Sequence, residues 1–359
     1  MNKVLLWLLV IACYASGVTG FWGKASLVNG ICKNTATAMK VSKNFCSSKP
    51  ELVKTVVNGI ALAIDECQHK FRNRRWNCST IKKSIRKILQ HDYRETAFVF
   101  AITSAGITYE VSKACSTGSL EACKCLESRI GGIESYSDEN GLLTKRSTES
   151  KNAALREARQ KHFERNGCKD FVKYGIQIAK QFVEGESNNI DAKALVTKHN
   201  CKAGREAVKN SLKEKCKCHG LSQFCTMKTC WSVLDPFTKT SAGIKTRFDR
   251  AIKVYVNNNG DSLIPEEKTV KPPTSEDLVY TTKSPEFCYR EKETGSLGTI
   301  GRRCNISSMG IGGCELLCCS RGYTTKRVVE HFNCKCKFYW CCKVTCNRCK
   351  RETLIHTCL

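Results

Sequence analysis

The chain has 359 residues, 26 of them cysteine, and its 59 basic against 33 acidic side chains leave a formal charge of +26. That length accommodates two domains, and an apolar fraction of 41% excludes wholesale disorder. So many thiols also argue against a reducing compartment, where each would have to stay reduced or bind metal.

Met1-Asn2-Lys3, the apolar run Val4 to Tyr14 and the small residues Ala15 to Gly20 have the three-part form of a secretory signal, residues 1–20. Cleavage near Gly20 removes Cys13 and leaves 25 cysteines, an odd number. No later stretch reads as a membrane span, so the expected location is the extracellular space and matrix. Nucleic acid is then not a partner, and the polyanions within reach of a basic protein are sulfated glycans such as heparan sulfate proteoglycans.

Residues 21–260 read as a helical amino-terminal domain. Ser48-Lys49-Pro50-Glu51 is a capping-box start, after which Val53, Val56, Val57, Ile60, Ile64, Cys67 and Phe71 share a face. Asp92 and Glu95 are expected to cap an apolar helix from Tyr93 to Cys115. Two more stripes follow: Phe171, Tyr174, Ile178 and Phe182, then Ala192, Val196, His199, Ala203 and Ala207. Between Cys125 and Cys168 the composition turns polar and mixed in charge, which predicts a solvated insertion over 126–167 with a short helix around Ala153 to Phe163. Four of the six prolines fall between Ile264 and Phe287 and mark 261–285 as a linker. Residues 286–359 hold twelve cysteines and little apolar material, so they form a disulfide-stapled module. The fold class is thus a mostly α amino-terminal domain plus a small cystine-rich β-hairpin carboxy-terminal domain.

Antiparallel pairing keeps the sum of partner numbers constant. Cys336 with Cys346 sums to 682, while Cys334 with Cys349 and Cys341 with Cys342 each sum to 683. These values fit one long hairpin turning at Cys341-Cys342, with a single one-residue bulge. Phe338, Tyr339, Trp340, Lys343 and Val344 would stand at its tip, where aromatics serve contact better than core. In the run Cys216 to Trp231, nested bridges of Cys218 with Cys225 and Cys216 with Cys230 sum to 443 and 446, so a distortion is expected outside the inner rung. The enclosed loop, His219 to Phe224, presents Ser222 as either a solvated turn serine or an acceptor for a modifying enzyme.

Three other chemistries are weaker. Cys216-x-Cys218, Cys334-x-Cys336 and Cys346-x-x-Cys349 have zinc-ligand spacings, but thiols in an oxidising compartment pair instead. His219 near Ser222 lacks the second glycine of a nucleophile elbow, and a six-residue loop has no room for an oxyanion hole, so no enzyme is expected. Asn77-Cys78-Ser79 and Asn305-Ile306-Ser307 are glycosylation sequons.

The runs Asp65 to Cys78, Cys216 to Trp231, Ser284 to Cys288, Cys314 to Gly322 and His356-Thr357-Cys358 resemble the Wnt family of secreted morphogens. The resemblance covers about Cys32 to the last cysteine, apart from the insertion. It implies a helical domain bearing a thumb and a cystine-rich domain bearing a finger. It places a monounsaturated fatty acyl ester on Ser222, with no other cofactor, attached by the acyltransferase Porcupine and exported on the carrier Wntless. It also implies binding to the Frizzled cysteine-rich domain through Ser222 and the finger residues Phe338, Tyr339, Trp340, Cys341, Cys342, Lys343 and Val344, with an LDL-receptor-related co-receptor as second partner.

The resemblance implies a set of disulfides as well. In the amino-terminal part these are Cys67 with Cys78, Cys115 with Cys123, Cys125 with Cys168, Cys216 with Cys230 and Cys218 with Cys225. In the carboxy-terminal part they are Cys288 with Cys319, Cys304 with Cys314, Cys318 with Cys358, Cys334 with Cys349, Cys336 with Cys346 and the vicinal Cys341 with Cys342. Cys32 with Cys46 follows by remainder. Both sequons, Asn77 and Asn305, match family positions. Gln223-Phe224 departs from the family's Gly-Ser. Cys201, which stands where the family tends to have asparagine, is the expected free thiol, exposed and open to an intermolecular disulfide or to capping. The competing class is a basic, disulfide-rich matrix or heparan-sulfate-binding protein without receptor agonism.

Overall fold

The computed structural model describes residues 50–79, 87–120, 123, 171–184, 192–219, 227–257 and 262–359. The signal, the Cys32 and Cys46 pair, Ser48, the insertion with Cys125 and Cys168, and the loop 220–226 with Ser222 and Cys225 lie outside them. The described residues fall into two compact units, one running to Glu66 and from Asp92 to Thr282, the other from Cys67 to His91 and from Lys283 to Leu359.

The first unit is built around a helix that is buried along most of its length. Helix α1 (Pro50–Phe71) starts at a proline, whose missing N–H costs nothing in a first turn, and buries Leu52, Val53, Val56, Val57, Ile60 and Ala63. Helix α2 (Arg94–Ser116) opens at Tyr93 with no side-chain cap. Asp92, expected as a cap, instead offers its carbonyl to the amides of Thr281 and Thr282 at 3.2 and 3.1 Å. Phe98, Ile102, Ile107 and Val111 are fully buried, as are Ser104, Thr108 and Ser112. At its far end the chain turns back, the Cys123 amide donating to the Leu120 carbonyl at 3.2 Å, and Cys123 bridges to Cys115 in the last turn of α2. Helices α3 (Phe171–Glu184), α4 (Ala192–Lys209) and α5 (Phe237–Asp249) pack on α2. Close approach depends on glycine: a Cβ at Gly204 of α4 would strike the Ala101 carbonyl of α2, and one at Gly59 would strike the backbone of Gly106.

Helix α4 buries two faces. Gly204, Arg205 and Cys201 meet α2, where the Cys201 thiol lies 3.9 Å from the Phe100 carbonyl oxygen. On its other side Val196 packs with Val254 and Val279. Cys201 is therefore a wholly buried thiol, which corrects the expectation of an exposed one and removes the route to an intermolecular disulfide. A single stripe phased on His199 and Ala203 misses a helix sandwiched on both sides.

The proline-rich segment is structured rather than a linker. Strands β3 (Ile252–Val256), β4 (Leu263–Pro265) and β5 (Val279–Tyr280) form a sheet in the order β4-β3-β5. Asn200 closes both backbone groups of Val279, donating to its carbonyl and accepting from its amide at 2.9 Å each. The ring of His199 bonds the Asp277 carbonyl at 3.0 Å, and Arg247 pairs with Glu276.

The second unit buries Phe71, Trp76, Ile88 and Phe287, and it holds a sulfur-rich cluster of Cys314, Leu317, Cys318 and Cys358 around the short helix α6 (Cys314–Leu317). Just past that helix Cys319 takes a left-handed φ of 55° and bridges to Cys288, at the opening of the unit's carboxy-terminal stretch. Small pairs β6 (Arg290–Glu291) with β7 (Ser296–Leu297), and β8 (Arg303–Cys304) beside the long strands, complete the base. Residues 67–79 and 87–91, expected in the helical domain, belong here. One reason is Arg302, whose guanidinium donates to the carbonyls of Arg72, Arg74 and Arg75 at 2.9, 2.6 and 2.6 Å. These carbonyls follow the end of α1, where the helix itself supplies no donors. The other bridges among the described residues join Cys67 to Cys78, Cys216 to Cys230, Cys304 to Cys314, Cys318 to Cys358, Cys334 to Cys349 and Cys336 to Cys346.

Candidate functional site: two stapled hairpins

The thumb begins where α4 ends. Strands β1 (Leu212–His219) and β2 (Met227–Leu234) pair without interruption from Leu212↔Leu234 to His219↔Met227. Every pair sums to 446, so the ladder outside the inner bridge is regular and the expected distortion is not there. Cys216 and Cys230 face each other directly, with Cα atoms 4.0 Å apart. Cys218 is also disulfide-bonded, one step nearer the loop. The His219 ring bonds the Thr229 hydroxyl of the facing strand at 3.0 Å.

An acid holds the thumb at its root. Asp235 accepts from Lys213 of β1 at 2.9 Å and from Lys239 of α5 at 3.1 Å. The hydrogen bonds from Lys213 and then Lys239 hold its carboxyl below the usual carboxylate range. Helix α5, absent from the reading above, had a legible signature: Asp235-Pro236 at its start, then Phe237, Ser241, Ile244 and Phe248 at helical spacing, all buried. Lys213 and Arg302 had none, because their partners are set only by folding.

The finger is longer. Strands β9 (Tyr323–Tyr339) and β10 (Lys343–Cys358) pair over nearly their whole length, and most of their side chains are exposed. Near the tip Phe338↔Val344 and Tyr339↔Lys343 sum to 682. Past a shift between Thr345 and Asn347 the sum falls to 681, not the 683 expected. The extra residue is on β9, where Lys335 takes a left-handed φ of 47°. Cys334 and Cys349 are consequently diagonal neighbours, with Cα atoms 5.9 Å apart. Trp340 is 93% exposed, and Phe338, Tyr339 and Val344 are exposed beside it. Cys341 and Cys342, expected as a vicinal disulfide, are exposed thiols. Their φ values of 77° and 73° let the backbone reverse direction at the tip without that bond. Of the sequon residues, Asn305 is exposed and Asn77 half-buried.

The wnt family profile matches residues 34–359. The chain belongs to the wnt family. A chain from the solved structure of human WLS in complex with WNT8A is 30% identical, aligns over 87% of this chain and 96% of its own, and superposes with a TM-score of 0.61. The Drosophila WntD N-terminal domain-linker is 20% identical, over 66% of this chain and 98% of its own, with a TM-score of 0.38. As a Wnt protein the chain is a secreted, disulfide-rich signalling ligand with a helical amino-terminal part and a cystine-rich hairpin region. Among the described residues no helix is long and apolar enough to cross a membrane.

Proposed function

We propose that this Wnt protein binds the Frizzled cysteine-rich domain through a fatty acyl ester on Ser222 and through the finger tip from Phe338 to Val344. The observation that carries the proposal is the pair of stapled hairpins. The β1–β2 ladder runs unbroken to His219 and Met227, the described residues on either side of the segment that carries Ser222. The finger ends in Trp340, almost wholly in water. Exposed aromatic side chains on a stiff support are energetically poor in solution and strong at an interface. An acyl chain of about sixteen carbons, at ~0.8 kcal/mol per buried methylene, has on the order of 10 kcal/mol to gain from an apolar groove.

Porcupine attaches the acyl group in this reading, and Wntless carries the product, as the likeness to a chain from the WLS–WNT8A complex supports. An LDL-receptor-related protein is the co-receptor. The glycans at Asn77 and Asn305 and adhesion to heparan sulfate complete the assignment, the latter because +26 charges favour a polyanion. The chain performs no catalysis in this role.

Pull-down with a Frizzled ectodomain tests the proposal, using wild type, Ser222→Ala and Trp340→Ala secreted in parallel, with mass spectrometry of the Ser222 peptide. An acyl mass on wild type, loss of most binding in Ser222→Ala and a weaker loss in Trp340→Ala are expected. Equal retention of wild type and Ser222→Ala would instead assign the chain to the matrix-adhesion class.

A further inference from the structure

Below its tip the finger carries a charge pattern of its own. Between Tyr323 and Cys358 there are eight basic residues and two acidic ones. Both acids are engaged, Glu330 with Arg351 at 3.0 Å and Glu352 with Arg327 at 3.5 Å. Pairing then sorts the remaining cations by face, because cross-strand partners share a face and successive residues alternate. Asn333↔Arg348 and His331↔Lys350 are successive rows on one face, the same face as the Cys336 to Cys346 bridge, and all four residues are exposed. Neither row contains a carboxylate, and Glu352 in the row beyond them is taken up by Arg327. On the opposite face lie Lys326, Lys337 and, next to the tip, Lys343, with Phe332 covered by the Arg351 guanidinium at 5.6 Å, while Lys335 stands in the bulge.

Arg348 and Lys350 are two residues apart on one strand, about 7 Å along it. Holding two cations at that spacing with no counter-charge in their rows concentrates positive potential on a strip only two strands wide, about 5 Å between strand axes. We propose that this strip is a binding site for a linear sulfated glycan, in which successive sulfates engage Arg348 and Lys350 while Asn333 and His331 supply further hydrogen-bond donors. The proposal rests on the polyanion-adhesion reading above and assigns it to one face of one hairpin. A glycan chain lies along a single face. An anionic bilayer would draw on the basic residues of both faces in proportion to their charge.

The test compares two double reversals of equal charge in the full secreted protein, with heparin as probe. Arg348→Glu with Lys350→Glu is expected to weaken heparin affinity roughly tenfold and to lower the salt needed for elution. Lys326→Glu with Lys337→Glu, on the other face, should stay within about twofold of wild type, because charge removed from the far face leaves the strip intact. Amide protection along β10 checks that each variant keeps its hairpin, and the milder Arg348→Gln with Lys350→Gln should give an intermediate loss. Equal weakening by the two reversals would overturn the site in favour of net charge. Equal loss of phosphatidylserine-vesicle and heparin binding in the Arg348/Lys350 variant would overturn it in favour of a lipid surface. A wild type that passes heparin at physiological salt would overturn the polyanion reading itself.

Discussion

His199 sits on α4 against the Asp277 carbonyl that leads into β5, with Lys202 one turn along. Burial pushes its imidazole below the ordinary histidine range, more than the Asp277 carbonyl and carboxylate pull it back up. The folded chain thus favours neutral His199, whereas the unfolded chain protonates it as pH falls through about 6.5. Protons taken up by the unfolded state alone weaken folding, so this part of the stability is complete above that pH and declines below it. Asp235 works in the same direction but lower, since its depressed carboxyl loses the contacts to Lys213 and Lys239 only under acid. Thermal midpoints measured from about pH 7.5 down to about 5.5, a window that brackets the unfolded histidine, should fall for wild type. They should fall less for His199→Gln, which keeps a side-chain donor for the carbonyl but cannot titrate. Parallel slopes in the two proteins would mean that another group carries the acid sensitivity.

Among the elements, α4 shows how close packing rather than propensity fixes a helix in place. Gly204 lets it approach α2 until the Ala101 carbonyl fills the space a Cβ would need. Gly204→Ala, a better helix former in isolation, should therefore destabilise the first unit by about 1–3 kcal/mol, read as a lower denaturant midpoint. The same helix marks a limit of sequence reading. Its apolar period predicted a helix over Ala192 to Ala207, and the helix is there, but periodicity assumes one buried face. With α2 on one side and β5 on the other, Asn200, Cys201 and Arg205 are buried at positions the period assigns to water. The finger was legible for the opposite reason. Cysteines in a two-stranded ribbon can bridge only near neighbours, so their numbering revealed the hairpin, its turn and its bulge. It could not reveal the direction of the bulge, because directly opposed and diagonal cysteines are both bridged in this ribbon and the two kinds of pair differ in their sums. The root contacts of Asp235 were not legible, since they join residues brought together only by the fold.

At the scale of the whole molecule the two units are stabilised by different means. The first buries Phe98, Phe182, Phe248, Ile102, Ile107 and Ile244 among helices, and its bridges among the described residues are Cys115 with Cys123 and Cys216 with Cys230. The second buries Phe71, Trp76, Ile88 and Phe287 as well as a cluster of half-cystines around Leu317, but its long strands cover almost nothing. A ribbon of two strands is marginal in water without support, and each bridge contributes roughly 2–4 kcal/mol by restricting the unfolded chain. Removing the disulfides should therefore act unequally. Under graded reductant followed by hydrogen exchange, amides of β9 and β10 should lose protection first, while those of α2 and α4 remain slow because apolar burial outlasts the lost bridges. The bridges of Cys336 with Cys346 and Cys334 with Cys349, on the exposed ribbon, should open before that of Cys318 with Cys358, whose two residues are buried. Simultaneous loss of protection in α2 and β9 would show that the helices depend on the sulfur of the second unit, and that the chain unfolds as one cooperative body.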